Sequence, residues 1–176
     1  MKHGKGSRTV NTVMVTIIVL IIIAVAGGLA VIYTGIISVA ATAPHMAVTR
    51  WVLSTAMDRS VEAHARSVKV PADYNNLSVQ AGYLRYNDMC MPCHGAPGVE
   101  RHWVGMGLLP EPPDLSSTAG DWTPAEIFWI IDHGIKMSGM PALAPTQAQD
   151  QVWLLAAFVK KLPGMTPDHY KGLGQK

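Results

Sequence analysis

Cys90-Met91-Pro92-Cys93-His94 contains both cysteines of this 176-residue chain, and its reading decides the fold. Three residues apart on a helix, the two sulfurs point to the same side, and His94 lies one turn on from Cys90. Two thiols and an imidazole at this spacing are the means of attaching a haem. The sulfurs form thioethers with its two vinyl groups, and the imidazole reaches the iron as proximal ligand. Other uses of the pair fit less well. A thioredoxin-like dithiol expects a strand before it and a βαβ setting, which the surrounding pattern lacks. A disulfide suits an oxidising compartment but does not require His94. A structural zinc site takes four ligands, and there is no second cysteine pair.

An iron that carries electrons wants a second strong axial ligand, and two thioethers lie downstream in Gly134-Ile135-Lys136-Met137-Ser138-Gly139-Met140-Pro141-Ala142. A methionine is more often core filler than ligand, and this chain has 10 of them. The setting of Met140 distinguishes it. Gly139 lets backbone approach the cofactor, and Pro141 stiffens the chain and biases Met140 toward an extended conformation. Met140 is therefore the expected sixth ligand, with Met137, between Lys136 and Ser138, as the alternative. A Met/His pair raises the reduction potential relative to bis-His ligation. His102, His133 and His169 read as surface or structural residues. The loop Leu109-Pro110-Glu111-Pro112-Pro113-Asp114-Leu115 is rigid enough to offer a carbonyl to the other ring nitrogen of His94, or is simply a loop at the cofactor's edge.

Three helices are expected around the motif. Ser78–Met89 has Ser78 as its cap and Gly82, Tyr83 and Tyr86 on one face. A second begins with the capping box Thr123-Pro124-Ala125-Glu126 and ends at Gly134, with Ile127, Trp129, Ile130 and Ile131 as its apolar side. A third spans Thr146–Lys161 and stops before Pro163; Val152, Leu155, Ala156 and Val159 form its buried stripe, flanked by Trp153. Few β-branched runs remain elsewhere, so the expected class is all-α.

Ahead of this domain, no charged residue occurs from Val13 to Val39. About 20 apolar residues in helical form span a bilayer core. A secretory signal is the rival reading: Ala41-Thr42-Ala43 resembles a cleavage site, but such apolar cores run only about 7–15 residues. The expected plan is a cytoplasmic basic tail at 1–12, a transmembrane helix at 13–40, an amphipathic or interfacial helix with linker at 41–76, and a haem domain at 77–176. Lys2, Lys5 and Arg8 precede the span, so the N-terminus belongs in the cytoplasm and the domain in the periplasm, at a bacterial inner membrane. The helix expected over 44–68 carries Trp51 and several arginines, and would lie on the bilayer or pack on a partner subunit. From Pro71 onward there are seven Lys/Arg against ten Asp/Glu; with no basic stripe, nucleic acid is excluded as a partner.

From about Leu77 to Leu162 the chain resembles the class I (monohaem) cytochromes c, in a membrane-anchored form. Ala81-Gly82-Tyr83-Leu84-Arg85-Tyr86 resembles the family's N-terminal helix, whose glycine and aromatic cross the C-terminal helix, and Trp153 and Leu154 resemble the opposing side. His94 and Met140 match the family's axial ligands, and Pro113 the proline whose carbonyl accepts from the haem histidine. The resemblance implies one haem c, covalent through Cys90 and Cys93, and one-electron transfer without catalysis. The partner would be a membrane redox complex such as a terminal oxidase, a quinol-oxidising complex, a dehydrogenase or a photosynthetic reaction centre, served by a shuttle or by a built-in subunit. The alternative is a haem enzyme or gas sensor with an open sixth position.

Overall fold

The computed structural model describes residues 4–175. Nine α-helices follow one another among them: α1 (Gly4–Tyr33), α2 (Ala47–Ala65), α3 (Val79–Met89), α4 (Met91–His94), α5 (Trp103–Met106), α6 (Leu115–Thr118), α7 (Pro124–His133), α8 (Gln149–Lys161) and α9 (Pro167–Leu173). No strand forms among the described residues; Ala96 and Val99 make one isolated bridge. The chain divides into two compact units, one ending at Ala43 and the other beginning at Pro44.

The first unit is α1. From Arg8 to Tyr33 it is long and apolar enough to cross a membrane, and all of it is exposed. It starts before residue 13 and stops short of residue 40, because Thr34 is its last turn and Gly35 takes φ 67°. Residues 4–12, expected as a tail, continue the helix, while Lys2 lies outside the described residues.

The second unit is built on the crossing of α3 and α8. Ser78 Oγ accepts from the Ala81 amide and starts α3. A Cβ on Gly82 would stand 2.6 Å from both the Leu154 carbonyl oxygen and Phe158 Cβ, so only glycine lets the helices meet there. Phe158, 1 % exposed, is the residue that Tyr83 and Tyr86 pack around. Full burial of such a side chain stabilises by about 1.5–3 kcal/mol. Trp153, expected to oppose α3, instead stacks on Phe128 of α7 at 4.1 Å and meets Tyr74 edge-on.

α7 opens on the capping box, Thr123 and Glu126 satisfying each other's backbone N–H groups, and closes at Gly134. α8 begins at Gln149 rather than Thr146, because the Thr146 and Gln147 amides both turn back to the Leu143 carbonyl and Ala148 is extended. Two elements depart from expectation more strongly. The second half of α2 docks on its own domain: α2 contacts α7, Val61 and Ala65 are buried, and the His64 ring stacks on Trp129 at 5.3 Å. α9 was not anticipated. Thr166 caps it, Pro167 is its first residue, and it latches onto α3 through Gln80 Nε2 donating to the Leu173 carbonyl at 2.8 Å.

Candidate cofactor site

α3 ends where the motif starts. The Cys90 amide still donates to Tyr86 O, after which Cys93 and His94 donate back to the Cys90 carbonyl at 3.1 and 2.9 Å. The motif is thus one tight turn, with Pro92 in its first positions, where a missing N–H costs nothing. The chain leaves it through Gly95 at φ 69°, ψ −169°, a region open essentially to glycine alone. Tyr86 Oη, fully buried and kept protonated by burial, donates to the Gly95 carbonyl at 2.6 Å. α5 rests on the turn's outer side: the His102 amide donates to Pro92 O, and a Cβ on Gly105 would meet the Cys93 carbonyl at 2.7 Å.

His94 Nδ1 lies 2.8 Å from the Pro113 carbonyl oxygen. A carbonyl only accepts, so Nδ1 carries the proton and Nε2 presents a bare lone pair. Burial lowers the imidazole's proton affinity below its usual value; the Pro113 bond opposes this and Arg101 adds to it. The ring is therefore neutral at neutral pH. The Pro-rich loop is itself held in place. Arg101 Nη1 donates to the Pro112 carbonyl at 3.0 Å and pairs with Glu111 at 2.9 Å, and Asp114 caps α6 through the Ser116 amide at 2.8 Å. Neither Arg101 nor the Tyr86 hydroxyl was read from the sequence; nothing local marks them, because their partners are carbonyls brought up by the fold.

Met140 is partly buried and packs against the same core cluster as Cys90 and Met91. Its loop is wound on itself. The Ile135 amide donates to Met140 O at 3.2 Å, and Ser138 Oγ bridges the Ile135 carbonyl and the Met140 amide. Gly134, at φ 64°, starts the loop; a Cβ there would stand 2.6 Å from Pro141 C and Ala142 N. Met137 is 89 % exposed, at φ 62°. Gly139 serves a purpose the sequence did not indicate, since its missing side chain leaves room for the Leu108 methyl groups. Of the other histidines, His102 and His169 are exposed, and His133 stacks on Trp129 at 4.7 Å.

An open cavity of about 770 Å³ has His94, Val99, Arg101, Met106, Glu111 and Asp114 in its wall. Among the described residues no group of three His, Cys, Asp or Glu could hold a bare metal ion. Burial, with Cys93 beside it, pushes the Cys90 thiol up to about 12. Two half-buried thiols on one turn, a neutral imidazole with a free Nε2 and a partly buried thioether packed on the same core cluster are donor types that suit an iron already enclosed in a macrocycle.

Residues 78–159, from the cap of α3 through most of α8, match the family model for cytochrome C oxidase, cbb3-type, subunit III. No curated protein and no solved structure matches the chain.

Proposed function

Residues 78–159 being a cytochrome c domain, we propose that this chain binds one haem c through thioethers to Cys90 and Cys93, with His94 and Met140 as axial ligands, and acts as a non-catalytic electron carrier. Haem-based electron transfer comes with the domain itself. The observation that carries the finer reading is the His94–Pro113 hydrogen bond, which fixes ring, tautomer and free Nε2 at once. When bound, the haem supplies an iron that cycles between ferrous and ferric states. The protein supplies two sulfurs on one turn, an oriented imidazole, and a thioether held by a hydrogen-bonded loop.

The apolar helix at Arg8–Tyr33 is compatible with a single-pass anchor. On this reading the basic residues before it keep the N-terminus in the cytoplasm and place the domain in the periplasm of a bacterial inner membrane. The match to an oxidase subunit favours a component of a respiratory redox complex over a loose shuttle. Retention in that complex through a high-salt wash distinguishes the two.

The purified chain is expected to weigh one haem more than its polypeptide, and Cys90→Ala/Cys93→Ala to weigh no more than its own; a wild-type mass equal to the bare polypeptide overturns covalent attachment. Met140→Ala should open the iron to CO and lower the reduction potential, and Met137→Ala should do neither. The reverse pair of results moves the ligand to Met137. CO binding by the unaltered protein supports the open-site alternative instead.

A further inference from the structure

The loop that carries Met140 turns on one hydroxyl. Ile135 to Ser138 is a β-turn, in which the Ser138 amide donates to the Ile135 carbonyl at 3.2 Å. Met137 occupies its third position at φ 62°, a conformation that favours glycine or asparagine. A residue with a β-carbon is strained there, and persists only where its surroundings determine it. The Ser138 side chain supplies that determination. Its Oγ donates to the same Ile135 carbonyl at 2.7 Å, so two donors from one residue close the turn. The closed turn leaves Met137 89 % exposed.

The same oxygen also acts forward along the chain. It accepts from the Met140 amide at 3.2 Å, and among the described residues it is that amide's only acceptor. A hydroxyl has one proton and two lone pairs, so it can donate backward and accept forward at once. The base of the loop is held without it. The Leu143 and Ala144 amides donate to the Ile131 and Asp132 carbonyls of α7, at 3.1 and 2.9 Å. Between Ile135 and Met140 the situation differs. Lys136, Met137 and Gly139 are exposed, and Ser138 alone is half-buried. Without the hydroxyl, the Met140 backbone would keep only the bond from the Ile135 amide to its carbonyl, at 3.2 Å.

We infer that Ser138 is a positioning residue: its hydroxyl sets the two thioethers of the loop apart, Met137 to solvent and Met140 to the iron, and so decides which methionine ligates and how firmly. This rests on the proposed ligation by Met140. Ser138 acts through the Met140 backbone and is itself no ligand. The test uses the full-length ferric holoprotein and its Ser138→Ala, Ser138→Thr and Met140→Ala variants, with imidazole as the probe that competes for the sixth position. Loss of one such hydrogen bond shifts an equilibrium by about two- to tenfold. Ser138→Ala should bind imidazole more tightly than the unaltered protein by that factor, and Ser138→Thr, which keeps the hydroxyl, should not. Exchange of the Met140 amide hydrogen should quicken in Ser138→Ala, while the Leu143 and Ala144 amides exchange as before. A merely structural role would quicken all three amides and lower the melting midpoint together, and that result overturns the inference. Equal gains in affinity by Ser138→Ala and Ser138→Thr overturn it too, since side-chain size would then matter and not the hydroxyl. Unchanged affinity in Ser138→Ala, with tight binding by Met140→Ala, shows that Met140 ligates without help from Ser138 and overturns the inference alone. An unaltered protein that binds imidazole as tightly as Met140→Ala shows that Met140 is no ligand, and overturns the ligation reading along with it.

Discussion

Gly95 and Gly134 turn the chain out of α4 and α7 with nearly the same backbone, φ 69°, ψ −169° and φ 64°, ψ −176°, and each begins a loop beside a candidate iron donor. Beyond these glycines the two sides are built on opposite plans. His94 is positioned from afar: its acceptor is Pro113, that loop is tied by Arg101, and the turn after it is pinned by Tyr86. The Met140 side closes on itself and on the end of α7, through Ile135 to Met140, Leu143 to Ile131 and Ala144 to Asp132. A site assembled from distant parts is only as firm as the whole fold. A self-closed loop can fail alone.

The largest effect separating the two plans should come from Gly134→Ala. A β-carbon there meets three backbone atoms within 2.8 Å and sits at a positive φ. Strain and overpacking together cost about 3–5 kcal/mol. Thermal melting should fall, the haem should stay attached, and the reduced protein should bind CO. Unchanged CO exclusion would show that this loop does not hold the sixth ligand. Tyr86→Phe comes next. It leaves the Gly95 carbonyl without its donor in a buried setting, at a cost of about 1–3 kcal/mol in denaturant unfolding. Here the loss should appear as global stability with the Met140 side still closed to CO; CO binding by this variant would erase the distinction between the two plans. Arg101→Met should be smallest, about 1–2 kcal/mol, because Glu111 is largely exposed and only the bond to Pro112 O is sheltered. Its sharper readout is exchange of the His94 ring N–H, which should quicken as the Pro113 carbonyl loosens. An unchanged exchange rate would show that the loop is rigid without its arginine.

What could be read from the sequence divides along the same line. Features closed within a few residues were legible: the Thr123–Glu126 capping box, the Ser78 cap, the Gly134 stop and the motif turn itself. Gly82 was expected at a crossing through the resemblance of Ala81-Gly82-Tyr83-Leu84-Arg85-Tyr86 to the family's N-terminal helix, and the close approach of Leu154 O and Phe158 Cβ agrees with it. The partner across it was legible in part: the Leu154 carbonyl does meet Gly82, but the side chain there is Phe158 and not Trp153, since helix periodicity fixes a face and not which neighbour meets it. The docking of α2 on α7 rests on Val61, Ala65 and a His64–Trp129 stack, too few residues to write a stripe. Thr166-Pro167 is an ordinary start signal that went unread because only a few residues follow it before Gly172 and Gly174. Arg101 could not be read at all, since a guanidinium's choice of carbonyl exists only once the chain is folded.

α9 bears on the order in which this protein is made. It touches both flanks of the motif: Tyr170 Oη reaches Asn87 on α3, and a Cβ on Gly98 would meet Pro167 at 2.7 Å. These contacts join residues more than 65 positions apart, with the motif always on the upstream side. Contacts of long sequence separation form late. A chain delivered from its N-terminus therefore offers Cys90 and Cys93 to whatever ligates them before the segment that closes over their neighbours has arrived. If haem is attached at Cys90 and Cys93 as proposed, the latch closes after attachment, and moving it upstream by circular permutation should bring closure forward and lower the yield of haem-bearing protein.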